Sequence, residues 1–155
     1  MKFKNLLLVS LFAAESRHTL GTRLWANGNE LLYNFQIGYQ LGKFGAADIR
    51  ACGGSMDVGY RFANLNGAPT IKLRSDFISG DDGIYRPDGS LSLGSSDSDS
   101  RYIGTAYVST VSWQISKFLG YNAGLQYFKT GDFINDVIPQ HMDGFFISSL
   151  LAFKF

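Results

Sequence analysis

The chain has 155 residues, enough for one domain, and its 14 Lys plus Arg balance 13 Asp plus Glu, so charge offers no argument for a nucleic-acid partner. A single cysteine, Cys52, excludes an internal disulfide framework, and no Cys-x-x-Cys is present. The two histidines, His18 and His141, stand far apart with no His or Cys nearby, which gives no basis for a zinc or catalytic centre.

No run approaches the roughly 18 apolar residues of a membrane-spanning helix. Aromatics are 15 %, glycines number 18 and prolines 3, with mean hydropathy near zero. Strands with one greasy and one wet face give such a composition, in a membrane barrel or in a soluble β-sandwich. The first fifteen residues admit two readings. Lys2 and Lys4, the apolar LLLVSLF and Ala13-Ala14 resemble a signal peptide, although no clean small-x-small cleavage site follows. The same residues also fit a first strand, with Phe3, Leu7, Val9 and Leu11 on one face.

Residues 16–25 are a strand candidate, with Leu20 and Leu24 opposite Arg17 and Arg23. Asn27-Gly28 signals a hairpin turn. The clearest alternation follows: Tyr33, Phe35, Ile37, Tyr39 and Leu41 fall on one face, Asn34, Gln36, Gly38, Gln40 and Gly42 on the other. Helical spacing cannot produce that. After a short connection at 43–47, residues 48–62 predict a long strand. Ile49 and Ala51 start its apolar set, and Met56, Val58, Tyr60 and Phe62 continue it one residue out of phase. Paired glycines at 53–54 place a β-bulge there, leaving Asp48, Arg50, Asp57 and Arg61 as one polar set. A turn at 64–69 leads to a strand over 70–78, with Ile71, Leu73 and Phe77 opposite Lys72, Arg74 and Asp76.

Residues 79–100 read as a long solvated loop of Gly, Ser and Asp. Its aspartates (81, 82, 88, 97 and 99) do not match the spacing of a calcium loop, so no metal is assigned. Strands are expected over 101–115 and 120–128, the latter carrying Asn122, Gly124 and Gln126 on its wet face, and a second loop over 129–144. The chain ends on its greasiest strand: Phe145, Ile147, Ser149, Leu151, Phe153 and Phe155 share one face. About eleven residues is the length a tilted strand needs to cross a bilayer.

The pattern predicts an all-β, antiparallel meander of seven strands, or eight with the N-terminal stretch. Short turns gather at one end and long loops at the other, with only the 43–47 connection short on the long-loop side, as in outer-membrane barrels, whereas a sandwich has no reason to sort its loops. The aromatic C-terminal strand ending on Phe155 is also the expected contact for the barrel-assembly machinery. No nucleophile–base pair, Gly-x-Ser-x-Gly or paired acid motif is present, so no catalytic residue and no cofactor are expected.

Several stretches then resemble a known family: RHTLGTRL, YNFQIGYQLGKFGAADIRA, DVGYRF, LGYNAGLQYFKTGDF and the closing aromatic strand. Over residues 16–155 they are similar to the C-terminal portion of the alginate export family, large β-barrels of the Gram-negative outer membrane. The family pattern carries further strands before this region and between Ser79-Gly80 and Asp82-Gly83-Ile84-Tyr85, so a truncated member is expected.

The resemblance implies passage of an alginate-like anionic polysaccharide. In a wide barrel the polar set would line the lumen: Arg50, Arg61, Lys72 and Arg74 among Asp48, Asp57 and Asp76, with Asn34, Gln36, Gln40, Asn122 and Gln126. Arginines there attract carboxylates, and interspersed aspartates keep binding weak enough for release. The alternatives are charges that pair only to fill a polar interior, and a small non-conducting or incomplete barrel.

Overall fold

The computed structural model describes residues 15–44, 47–80, 98, 100–138, 140 and 142–155. The N-terminal signal-or-strand stretch, the five aspartates of the Gly/Ser/Asp loop and His141 lie outside the described residues.

Seven strands follow one another in the order of the chain: β1 (Glu15–Asn27), β2 (Leu31–Phe44), β3 (Ala47–Arg61), β4 (Thr70–Ser79), β5 (Tyr102–Gln114), β6 (Leu119–Thr130) and β7 (Gly144–Phe153). They form one sheet in which each strand pairs antiparallel with its sequence neighbour, an all-β meander. Where the connections are tight, as between β1 and β2 or β5 and β6, they force that pairing, since a tight turn can join only antiparallel strands.

Each connection at the short-turn end has its own chemistry. Gly28 donates its amide to the Leu31 carbonyl at 3.1 Å, closing the first hairpin. Segment 62–69 folds back over the end of β5, where Trp113 Nε1 donates to the Asn66 carbonyl at 2.9 Å. Gly67, with φ +75°, makes that approach possible: a Cβ there would lie 1.9 Å from the Gln114 carbonyl oxygen. Ser116 and Leu119 exchange backbone hydrogen bonds of 3.1 and 3.3 Å across the third turn. The C-terminus leaves from this same end, with the Lys154 amide bonded to the Phe118 carbonyl at 2.9 Å.

The opposite end carries the long connections. One of them, expected as loop throughout, contains a short helix, α1 (Asp132–Val137), which packs against β5 and β6. Six residues are too few to show helical periodicity in a sequence. Asp132 in its first turn complements the helix dipole, and Ser98 donates to Asp136 at 2.5 Å.

The bulge expected at Gly53-Gly54 is absent. The β2–β3 ladder runs straight through, with Gly38 opposite Gly53 and Ile37 opposite Gly54. The irregularity falls instead between Ile78 and Ser79, against β5. The change of phase in β3 is therefore a change in what each face meets: Ile49, on the wet face of the sheet, is 2 % exposed.

Among the described residues, Leu32 and Ile49 are the only buried large apolar side chains. The sheet has no hydrophobic core of its own. One face shows Leu20, Leu24, Ile37, Leu73, Ile147 and Phe153 to the surroundings, and the other carries most of the charge.

Candidate functional site

Side chains directly opposite each other on adjacent strands share a face and sit about 5 Å apart. The register thus writes rows across β1 to β4. Trp25, Asn34, Asp57 and Arg74 make one row; Arg23, Gln36, Ser55 and Asp76 make the next; Asn27, Leu32, Gly59 and Lys72 lie on the turn side. All of these project from the polar face.

A hydrogen-bond chain links the rows. Arg23 donates through Nε to Asn34 Oδ1 at 2.6 Å. Asn34 in turn donates through Nδ2 to Asp57 Oδ2 at 3.0 Å. Asp57 lies 3.9 Å from Arg74 Nε, which donates to both oxygens of Asp76 at 2.9 and 2.8 Å. Arg23, Asn34 and Asp57 are thereby each tied to a neighbouring strand, while Arg74 is held by Asp76 on its own strand.

A groove of about 490 Å³ opens over this network, lined by Arg23, Asn34, Asp57, Arg61, Lys72 and Arg74, with Trp25 at its edge. Four cations face one carboxylate there, and Asp76 stands just beyond. Among the described residues Arg61 and Lys72 have no ion-pair partner, so their charge is directed at whatever occupies the groove. The side chains are half-exposed to exposed, and salt screens their field beyond about 10 Å. The site therefore acts on ligands that enter it.

Of the residues expected to line a lumen, Asn34, Gln36, Asp57, Arg61, Lys72, Arg74 and Asp76 share this face, as do Gln40, Asn122 and Gln126. Asp48 and Arg50 do not. Their register partners are Lys43 and Leu41, which places them on the apolar face near the long-loop end. Asp48 lies 3.9 Å from Lys43 Nζ and 3.6 Å from Arg50 Nη2. The reason is the missing bulge: with no slip between them, even-numbered Asp48 and Arg50 cannot share a face with odd-numbered Asp57 and Arg61.

Two groove residues, Arg23 and Trp25, are absent from the expected set. Their signal was phase alone, since both alternate with Leu24 on the first strand. Asn122 and Gln126 belong to a different neighbourhood. The polar face of β5 to β7 carries Thr110, Ser112 and Ser148 beside the apolar Val108, Phe128, Phe146 and Leu150 and no charge, so the face divides into a charged and a neutral half. Among the described residues no cluster of His, Cys, Asp or Glu has the make-up of a metal site.

The comparison with curated proteins and that with solved structures each found no match. The family model for alginate export matches residues 12–95. That span is more than half of the chain and holds β1 to β4, hence every charged side chain of the groove. The chain belongs to the alginate export family.

Proposed function

We propose that this chain forms part of the wall of an outer-membrane conduit for an anionic polysaccharide of the alginate type, with the charged half of its polar face lining the passage. One observation carries the reading: a single sheet without a core presents large apolar side chains on one face and, among the described residues, cations without ion-pair partners on the other. Leu20, Leu73 and Ile147 are 66, 61 and 66 % exposed. A continuous surface of that kind requires a cover, and lipid is a suitable one once the outer edges of β1 and β7 are paired. The shortest strands have ten residues. At about 3.3 Å per residue and a tilt of about 40°, such a strand stands about 25 Å tall, the height of the apolar band of a membrane barrel.

On the other face, Arg61 and Lys72 offer charge to carboxylates, and a guanidinium does so in a fork that fits them. Asp57 and Asp76 both offset Arg74, which keeps a polyanion from being held too tightly to move. Passage needs no catalytic group, and none is assigned. Strands β1 and β7 run in the same direction, so closing the ladder around a lumen by antiparallel pairing takes an odd number of further strands. The exposed Phe155 at the end of β7 is the proposed handle for the assembly machinery.

The test is to refold the chain in detergent, compare heated and unheated mobility on a gel, and measure conductance in planar bilayers. The expected result is a heat-modifiable band and a current blocked by oligouronate in a salt-sensitive way. The double variant Arg61→Gln/Lys72→Gln should weaken that block. Absence of both current and block overturns the reading for this chain.

A further inference from the structure

We propose that Trp25 is a stacking platform for a pyranose ring, making the groove a binding site for an acidic sugar rather than for anions in general. This inference rests on the reading of the groove as a polysaccharide surface and adds how that surface recognises its ligand.

Trp25 stands in the same row as Asn34, Asp57 and Arg74, and so projects from the polar face. It is 61 % exposed there. A tryptophan on an apolar face is explained by lipid or core, and neither applies to this position. One side of its ring carries the Arg23 guanidinium, 5.1 Å from the centroid, and Arg23 is itself fixed by its hydrogen bond to Asn34. The indole is thus oriented while much of its surface stays open to the groove.

A pyranose ring has a face of C–H bonds with slight positive charge, which packs on the electron-rich face of an aromatic ring. An inorganic anion has no such face, and a neutral sugar has no carboxylate for Arg61 or Lys72. Only a sugar acid uses both parts of the site. The coincidence is local: Phe128 and Phe146 also stand on the polar face, but in its uncharged half. From β1 to β4 the site spans three strand spacings, about 14 Å, which suits a short oligosaccharide better than a monosaccharide.

Trp25 and Trp113 are the only tryptophans. Trp113 lies outside the groove, bonded to the 62–69 turn, so a Trp113→Phe chain refolded in detergent makes Trp25 the reporter. Its emission is titrated with an oligouronate, a neutral oligosaccharide of equal length, and acetate. The expected result is a saturable emission change with the oligouronate, a much weaker one with the neutral sugar and none with acetate. In calorimetry, Trp25→Ala should weaken oligouronate binding about five- to tenfold, and Trp25→Phe should retain most of it.

An acetate response equal to that of the oligouronate would overturn the proposal, as would unchanged affinity in Trp25→Ala. If Trp25→Ala is neutral while Arg61→Gln/Lys72→Gln weakens binding, the stacking role fails and the conduit reading stands. If no oligouronate binds at all, both fail. Should Trp25→Ala not fold, the three titrations of the Trp113→Phe chain decide alone.

Discussion

Arg74 gives its Nε hydrogen to both carboxylate oxygens of Asp76, two residues along the same strand, at 2.9 and 2.8 Å. Residues two apart on a strand share a face, so this pair forms without help from a neighbour. It leaves Arg74 offset by an acid that Arg61 and Lys72 lack. Asp76→Asn should therefore raise the positive potential of the groove. The expected outcome is a shift of reversal potential toward anion selectivity and an oligouronate affinity about two- to fivefold higher. Stability should change by less than about 1 kcal/mol, because half-exposed ion pairs contribute little. A fall in oligouronate affinity would mean instead that Asp76 serves to aim Arg74.

The two faces make opposite demands on an introduced charge. Leu73 lies opposite Val58 on one side and Ser109 on the other, in the middle of the apolar face. Arginine at a lipid-facing midplane position costs about 2–4 kcal/mol. Gln126, on the polar face of β6, is exposed. Gln126→Arg should change stability by no more than about 0.5 kcal/mol. Urea unfolding from lipid vesicles, followed by tryptophan emission, compares the two. Equal costs would show that the apolar face does not meet lipid.

This contrast was legible in the alternation of residues 33–41, since period two fixes which side chains share a face wherever the backbone runs unbroken. It failed where a bulge had to be inferred. Two glycines and a shifted apolar phase imitate a bulge in sequence, yet in β3 the ladder is continuous, and Asp48 and Arg50 consequently lie across the sheet from Asp57. Cross-strand neighbours were also hidden. Arg23 and Asn34 are eleven positions apart, and Asn34 and Asp57 twenty-three, and only turn lengths and register bring them into one chain of hydrogen bonds. Trp25 gained its meaning from that same register, as a row-mate of Asp57 and Arg74.

The long-loop end carries a pH-sensitive anchor. Asp143, just before β7, accepts hydrogen bonds from the Tyr127 hydroxyl and, at 3.0 Å each, from the Thr130 amide and hydroxyl. These bonds favour the carboxylate and hold its pKa below the usual value, the Tyr127 bond contributing most. A group depressed in the folded state stabilises above its unfolded pKa and stops doing so as pH falls through its folded one. The anchor of the α1 connection should thus hold at neutral pH and release only in acid below the normal carboxylate range. Hydrogen-exchange protection of the Thr130 amide reports it. Asp143→Asn should lower that protection at neutral pH and remove its acid step, and an unchanged acid step would assign the transition to another group.

At Phe155 the proposed assembly role can be separated from stability. Its side chain is fully exposed, while the backbone of the preceding residue is tied to Phe118. A side chain without packing neighbours contributes little to the folded state, so Phe155→Ala should refold in detergent with stability unchanged to within about 0.5 kcal/mol. In cells the same variant should yield less heat-modifiable membrane protein, the outcome that the proposed handle for the assembly machinery requires. Comparing the two yields distinguishes a recognition role from a structural one. Losses of equal size in detergent and in cells would place Phe155 in the fold, and no loss in either would remove it as a handle.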